Sequence, residues 1–327
     1  MNASQSNHKG DPAVDIVLPC YNAAAWIDEF VNGLLALKGV SWHLIARDDG
    51  SSDGTLALLR AWHERLGPRM TLLDAEHSNN LGLIGNYSAV LEASTAPWVL
   101  TADPDDVWLP NRVPLTLAAL QTAEAETSAQ TPVAVCTDAE VVNSQLGLVA
   151  PSYWRWSRTK PLSRPRLARV AMDSVALGST MAVNRALLRK ALPLPQSAAY
   201  QDWWLALVAV AFGRFIALPD ITIRYRRHGE NATKDPYSLS LASAAQRLLR
   251  APYSLHARLA YLLSQIARQT DAFVERHGQE LPFQDAVALS ALAGIQNLNA
   301  WPRRWTLLRH GCFFNSALKT LGLLLFC

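Results

Sequence analysis

Four short apolar runs, Val14 to Leu18, Trp42 to Arg47, Met70 to Asp74 and Trp98 to Ala102, alternate with stretches whose apolar residues recur at helical spacing. Trp26, Ile27, Phe30, Val31, Leu34 and Leu35 form one such stretch and predict an amphipathic helix from about Ala24 to Leu37. Helical patterns from Thr55 to about Leu66 and from about Leu83 to Ala93 complete a β-α-β-α-β-α-β order. That order predicts an α/β fold, a parallel sheet with helices on both faces. In open sheets of this kind ligands bind outside the carboxyl ends of the strands, so the chemistry of those ends becomes informative.

Two of the ends are acidic. The second run leads into Asp48-Asp49-Gly50-Ser51-Ser52-Asp53-Gly54-Thr55, and the fourth into Asp103-Pro104-Asp105-Asp106-Val107-Trp108. Two like charges about 4 Å apart cost roughly 1 kcal/mol in bulk water and about 4 at an effective dielectric near 20, so the second cluster favours a cation. Hard carboxylate oxygens suit Mg²⁺ or Mn²⁺, and a Mg²⁺ site typically combines one or two carboxylates with substrate phosphates and water. An acidic surface turn that caps the next helix, opening near Pro110, fits the same residues. At the other end, Asp48 and Asp49 can accept hydrogen bonds from a pyrimidine base and ribose or can form a tight Asp-Gly turn, while Asp53 sits where a helix N-cap belongs. The first turn, Pro19-Cys20-Tyr21-Asn22, lacks the GxGxxG of dinucleotide-binding folds.

Further along, Ala, Glu, Ser, Thr and Gln dominate Thr122 to Thr131, which reads as a surface connection. Pro132 to Val142 and Gly178 to Val183 read as strands, the latter followed by a helix to about Ala191. Residues 151 to 169 read as an irregular loop carrying Tyr153, Trp154 and Trp156 among Arg155, Arg158, Lys160, Arg164 and Arg166; it fits a cover over a sugar-phosphate or an ordinary surface loop. Asp202 stands at the mouth of the apolar helix Leu205 to Phe212, as a cap or as a general base. Arg214 to Leu218 and Ile221 to Tyr225 read as two short strands closing on Arg226-Arg227-His228-Gly229-Glu230-Asn231.

Taken together, Ile16-Val17-Leu18-Pro19-Cys20-Tyr21-Asn22, Arg47 to Thr55, Asn80-Leu81-Gly82, Asp103 to Trp108, Gly178-Ser179-Thr180-Met181, Gln201-Asp202-Trp203-Trp204 and Tyr225 to Asn231 resemble family 2 glycosyltransferases. The likeness is strongest to the rhamnosyltransferase-like branch that builds bacterial surface polysaccharides such as O-antigen. It covers about residues 13 to 235. It implies a GT-A fold, a Rossmann-like, mostly parallel sheet flanked by helices, and inverting transfer from a nucleotide-sugar donor, with dTDP-rhamnose as one such donor. By the same resemblance Pro19, Tyr21, Asn22, Asp48, Asp49 and Asp103 contact the nucleotide, and Asp103 and Asp105 form the DxD motif that binds ribose and the metal. His228 joins that metal site, Gly178, Ser179, Thr180, Trp203 and Trp204 meet donor or acceptor, and Asp202 is the catalytic base. The expected cofactor is Mn²⁺ or Mg²⁺ and the expected acceptor a glycan or lipid-linked glycan. Two departures stand out: Pro104 fills the middle of the DxD motif, and Gln201 replaces a frequent Glu, leaving Asp202 to act alone.

The expected organisation is a loose polar leader (1–12), a catalytic domain (13–237) and a helical C-terminal region (238–327). From Ala286 to Cys327 no acidic residue occurs, while Arg303, Arg304, Arg309 and Lys319 alternate with Trp301, Trp305, Leu307, Leu308, Phe313 and Phe314. Such a helix suits an anionic membrane surface, or else packs on the catalytic domain or a second subunit. No apolar h-region opens the chain and no apolar span reaches 18 residues, so the expected location is cytoplasmic, peripheral at the inner face of the cell membrane. Four scattered cysteines suit reduced thiols, and a net charge of +3 without basic runs or zinc spacing argues against nucleic acid. Two other functions fit parts of the pattern. A sugar-phosphate nucleotidyltransferase would want a Gly-rich basic loop after the first strand, which Cys20-Tyr21-Asn22-Ala23 is not. A non-catalytic nucleotide-sugar-binding member of an assembly complex would not need Asp103, Asp105 and Asp202.

Overall fold

The computed structural model describes residues 14–74, 79–159, 165–174, 176–228, 252–314, 320–321 and 323–324. The leader, Lys160 to Arg164, the Gly229-Glu230-Asn231 end of the last motif and Lys319 lie outside them. Strands β1 (Val14–Cys20), β2 (Trp42–Asp48), β3 (Met70–Leu73) and β4 (Trp98–Thr101) alternate with helices α1 (Ile27–Leu35), α2 (Thr55–Leu66) and α3 (Gly82–Ala93). After β5 (Val107–Trp108) come α4 (Arg112–Glu126), β6 (Val133–Asn143), β7 (Leu148–Ala150), α5 (Tyr153–Trp156), α6 (Leu167–Met172), β8 (Ala182–Asn184), α7 (Arg185–Ala191), α8 (Gln201–Phe212) and β9 (Arg214–Arg227). Helices α9 (Pro252–His277), α10 (Phe283–Ala293) and α11 (Ala300–His310) follow.

The expected α/β architecture is present, with a mixed sheet of order β3-β2-β1-β4-β8-β6-β9-β5 and β7 paired to β6. β1 runs parallel to β2 on one side and to β4 on the other, so the chain order reverses at the β1–β4 boundary. That reversal opens a crevice at the carboxyl ends. All seven residues of β1 are buried, as a central strand covered on both faces requires. Its one acid, Asp15, is satisfied there: Oδ2 accepts the Thr95 and Ala96 N–H groups at 2.6 and 2.8 Å. One core joins β1, β2 and β4 to α1, α2 and α4; the other joins the opposite face to α3, α6, α7, α8 and the C-terminal helices.

Several boundaries differ from the sequence expectation, each for a tertiary reason. Arg214 to Arg227 is one strand rather than two: Leu218 pairs with Thr137 and Ile221 with Asp138, so Pro219 and Asp220 are accommodated as an irregularity against β6. Gly178 to Thr180 is a 3₁₀ turn and only Ala182–Asn184 is strand. Thr122 to Glu126, expected in a connection, continues α4, with Ala123 buried against the sheet. Within the expected irregular loop, α5 forms because Ser152 accepts Arg155 N–H and is itself held by Asp138 Oδ2 at 2.5 Å. Its rings are spoken for: Tyr153 packs edge-on to Tyr225 at 5.4 Å, and the Arg227 guanidinium lies 5.2 Å from the Trp156 ring.

The C-terminal helices share the hydrophobic core of α6, α7 and α8. Phe273 of α9 meets Trp204 of α8 edge-on at 5.3 Å, Arg276 Nη1 donates to the carbonyls of Ala191 and Pro193 at 3.0 and 2.7 Å, and Lys190 pairs with Glu280. The outer surface is different. Phe283 is 83% and Trp301 78% exposed, and Trp305 and Leu308 are exposed one and two turns beyond Trp301, while Leu307 points inward. No described helix is long and apolar enough to cross a membrane.

Candidate active site

Pairing in register sets the first part of the site. Cys20, the last residue of β1, lies opposite Asp48, the last of β2, so Pro19, Tyr21, Asn22 and the Asp48-Asp49 turn share one edge. Pro19 is buried within β1, whereas the Tyr21 ring is 58% exposed at its end. Asn22 adopts a left-handed φ of 49° and locks two loops together: its N–H donates to Ser51 Oγ at 2.8 Å, and its Oδ1 accepts Ser52 N–H at 3.0 Å. Asp48 Oδ2 accepts the Gly50 and Ser51 N–H groups at 3.1 and 3.0 Å, which aims the carboxylate. Asp53 is not the expected N-cap, a position that Gly54 takes; instead its Oδ1 accepts Thr55 N–H at 3.1 Å while Oδ2 takes Ala24 N–H at 3.0 Å from the first turn, tying the two turns together.

Asp49 has a structural bond set. Its Oδ1 pairs with Arg47 Nη1 at 2.8 Å and accepts Leu81 N–H at 2.7 Å, and its carbonyl accepts Asn80 Nδ2 at 3.0 Å. Arg47, buried, also reaches Asp74, Asn79 and Asn86. The Asn80-Leu81-Gly82 motif is therefore tied to the β2 end. Burial pushes the Cys20 thiol up, with Asp48 and Asp103 adding to the effect, so it stays protonated at neutral pH.

The acidic turn after β4 carries the second part. Ala102 N–H donates to Val17 carbonyl at 3.0 Å, which seats the turn beside the end of β1. Asp103 Oδ1 accepts the Tyr87 hydroxyl at 2.5 Å; burial and then the Asp105 charge raise its carboxyl to about 7. Asp105 Oδ2 lies 2.8 Å from His228 Nε2, so the structure brings together two of the three expected metal ligands. Arg226 braces them: its Nε donates to Asp105 carbonyl at 2.8 Å, its N–H to Asp106 Oδ1 at 3.0 Å, and its Nη2 pairs with Glu29 at 2.6 Å. The Trp26 ring lies between, 5.3 Å from the His228 ring and 4.5 Å from the Arg226 guanidinium. Burial, with Asp105 and Asp103 beside it, pushes the Asp106 carboxyl well up.

Among the described residues no three His, Cys, Asp or Glu side chains stand close enough to form a metal cage. The donor set fits a divalent ion shared with a ligand: the Asp105 carboxylate is the hard oxygen donor that Mg²⁺ or Mn²⁺ takes, the His228 imidazole would be a second, softer position, and ligand oxygens and water would supply the rest.

The third part is the first turn of α8. Burial raises the Asp202 carboxyl to about 7, with the Asp103 charge adding and the Trp203 N–H, 2.6 Å from Oδ1, opposing. Gln201, Trp203 and Trp204 beside it are buried; the indole N–H groups donate to the Val170 and Ala191 carbonyls. Gly178 lies so close that a Cβ there would sit 2.5 Å from Gln201 Nε2 and 3.6 Å from Asp202 Oδ2. Ser179 and Thr180 are fully buried, so their side chains shape the wall rather than line its surface.

Sequence reasoning missed Tyr87 and Arg112. A signal existed for each: Asn86, Tyr87 and Ser88 interrupt an apolar helix, and Arg112 stands in a first helical turn, where the dipole disfavours a cation. Burial lowers the Arg112 guanidinium to about 9, and it remains charged at neutral pH. A hollow of about 510 Å³ lined by Gly39 to His43, Pro68 and Arg69 contains no carboxylate and includes Trp42, the first residue of β2, at the amino end of that strand.

The family model described as "Glycosyl transferase family 2" matches residues 15–189. The chain is 27% identical over 108 residues to WfgD of Escherichia coli, named UDP-Glc:alpha-D-GlcNAc-diphosphoundecaprenol beta-1,3-glucosyltransferase, covering 33% of this chain and 41% of that protein. It is 31% identical over 102 residues to the succinoglycan biosynthesis protein ExoO of Rhizobium meliloti, covering 31% and 28%. These matches thus span well under half the length of the relatives. A crystal structure of Staphylococcus aureus TarS residues 1-349 with UDP-GlcNAc superimposes with a TM-score of 0.55 at 14% identity, covering 92% of both chains. That likeness extends the shared fold into the C-terminal helices.

Proposed function

The chain belongs to glycosyl transferase family 2, and on that premise we propose that it is a metal-dependent inverting transferase of bacterial polysaccharide synthesis. It moves a sugar from a nucleoside diphosphate to a hydroxyl of a surface glycan or a lipid-linked glycan. The observation that carries this reading is the convergence of Asp48, Asp103, the Asp105–His228 pair and Asp202, from four separate segments, around the carboxyl ends of β1, β2 and β4. Relatives support the donor and acceptor classes: WfgD is named for a UDP-sugar donor and a polyprenyl-diphosphate acceptor, and TarS was crystallised with UDP-GlcNAc. UDP- and dTDP-hexoses, dTDP-rhamnose among them, are the donors to test.

In this reading the exposed Tyr21 ring and the Asp48 carboxylate receive the base, and Asp103, held by Tyr87, meets the ribose. Asp105 and His228 would hold Mn²⁺ or Mg²⁺ against the diphosphate, where a divalent ion supplies Lewis-acid neutralisation of the leaving group's charge. Asp202 takes the proton of the acceptor hydroxyl as that oxygen bonds to the anomeric carbon. The bond to the diphosphate oxygen breaks with its electron pair leaving on the nucleotide, and the anomeric centre inverts. A carboxyl near 7 suits that task, since a general base works best close to the operating pH.

We further propose a peripheral position at the inner face of the membrane, which the surface of the C-terminal helices supports. Trp301, Trp305 and Leu308 present an apolar stripe beside Arg309, with no acid from Ala286 onward to repel anionic headgroups.

A thermal-shift titration with UDP, dTDP and GDP, each with Mn²⁺, Mg²⁺ or EDTA, tests the donor site, because ligands that bind the folded state raise its melting temperature. A metal-dependent rise with UDP or dTDP is expected. No rise with any nucleotide would overturn the reading.

A further inference from the structure

Arg112 is fully buried in the first turn of α4, immediately after the acidic turn. Its guanidinium hydrogen-bonds to backbone, with Nη1 donating to the Thr180 carbonyl at 2.9 Å and Nη2 reaching the carbonyls of Ser179 at 2.7 Å, Met181 at 3.1 Å and Thr101 at 3.2 Å, and its carbon lies 4.6 Å from the centre of the Trp108 ring. Thr101 ends β4, two residues before Asp103. The other three carbonyls belong to the turn after Gly178, and Gly178 packs against Gln201 and Asp202. One planar cation therefore joins the strand that presents the diphosphate-side acid to the turn on which the base rests. The Thr101 hydroxyl makes a parallel link, donating its one proton to the Gly178 carbonyl at 2.5 Å, with the Met181 carbonyl 3.1 Å away.

The arrangement is more costly than packing alone demands. The carbonyls of Ser179 and Thr180 lie in a 3₁₀ turn outside the sheet, and Arg112 Nε and Gln201 Oε1 are buried in the same region with no hydrogen-bond partner among the described residues, while the buried Asp106 carboxyl has the Ser179 hydroxyl beside it. Buried polar groups of this kind are normally replaced by apolar ones unless their placement serves something else.

We propose that Arg112 is a positioning residue for the transfer step: it sets the separation of Asp103 from Asp202, and hence the line along which an acceptor hydroxyl meets the donor, while touching neither. This rests on the reading of the site as a sugar-transfer centre. Lysine cannot substitute fully, because a point ammonium on a flexible stem lacks the planar fork that spans several carbonyls. A displacement of about 1 Å between reacting groups costs on the order of 100-fold in rate.

The test is steady-state kinetics of Arg112→Lys and Thr101→Val with a donor that the wild type turns over, alongside melting temperature and nucleotide-induced thermal shift. For Arg112→Lys the expected result is a kcat lower by roughly 10- to 100-fold, with the donor KM and the thermal shift within about threefold of wild type. Thr101→Val, which leaves the charge in place, should show the same split with a kcat loss of about 3- to 10-fold. A kcat within twofold of wild type, or a kcat loss matched by an equal rise in donor KM, overturns the proposal. Should Arg112→Lys fail to fold, Thr101→Val decides on the same criterion. A wild type that turns over no nucleotide sugar overturns the parent reading as well, which separates that failure from a failed clamp.

Discussion

His228 Nε2 lies 2.8 Å from Asp105 Oδ2, although 123 residues separate the two in the chain. The contact exists because β9 pairs antiparallel with β5, with Val107 opposite Arg224, so the end of β9 runs back over the acidic turn. Both side chains are largely covered there, and together they are the pair that the proposed metal site would use.

Asp105→Ala and His228→Ala should each remove the metal-dependent part of the nucleotide thermal shift and leave the response in EDTA unchanged. The Asp105 variant should lose more, since the carboxylate carries the charge that a divalent ion needs. Melting curves with UDP or dTDP and Mn²⁺ check this. A full metal-dependent shift in both variants would place the ion elsewhere.

The Asp202 carboxyl, raised to about 7, gives two linked expectations. As the base it must be ionised, so kcat should rise with pH through about 7 and level off above it. Asp202→Asn should lower kcat by about 10² to 10⁴-fold with nucleotide binding retained. Stability runs the other way. Between the ordinary carboxyl value of 3.8 and about 7 the folded state holds a proton that the unfolded state has released, so this group's contribution to stability falls as pH rises through that window. The Asn variant should therefore melt higher than wild type above pH 7, an advantage that vanishes below about pH 4. Melting temperature measured against pH for the two proteins decides it.

Gly213 closes α8 with an extended φ of −167°, so no glycine-specific dihedral is involved, yet a Cβ there would lie 1.9 Å from the Pro132 carbonyl oxygen. Backbone on both sides leaves little room to yield, because Arg214 N–H donates to that same carbonyl at 2.9 Å. Gly213→Ala should cost about 3 kcal/mol or more, at the upper end of overpacking effects. Urea denaturation measures it, and a variant as stable as wild type would mean that β6 and β9 shift apart easily.

Replacing Trp301 and Trp305 together with Ser removes two exposed rings and should leave the melting temperature within about a degree, since neither ring is part of the core. Binding to vesicles containing anionic lipid should fall at least tenfold in a sedimentation assay. Equal binding by wild type and variant would leave these rings without a membrane role.

Much of this molecule was legible in the sequence. The alternation of short apolar runs with helical periodicity is a local property, and it marked β1 to β4 and the helices between them because burial on both faces demands continuous apolar strands. The acids at Asp48, Asp103 and Asp105 could be placed at strand ends for the same reason, and the resemblance to family 2 glycosyltransferases assigned them roles. What the residues alone could not say is how each acid is held. Asp48 and Asp49 are neighbours of one type, yet Arg47 and Leu81 claim the carboxylate of Asp49, while Asp48 is oriented by its own turn. Trp203 and Trp204 follow Asp202 in sequence and point into the core, where their indole N–H groups donate to the Val170 and Ala191 carbonyls.

Sequence by itself determined the strand-helix order and the residue types at each strand end, which depend on spacing within a dozen residues. Only the tertiary structure decided the encounters: His228 with Asp105, Tyr87 with Asp103, and Arg112 with the Gly178 turn. Those depend on long-range pairing of β4 with β8 and of β5 with β9, and on the burial that pairing creates. Burial moves the Asp202 carboxyl toward neutrality and holds a buried Arg112 against backbone carbonyls, and no local pattern encodes how deeply a side chain will be covered.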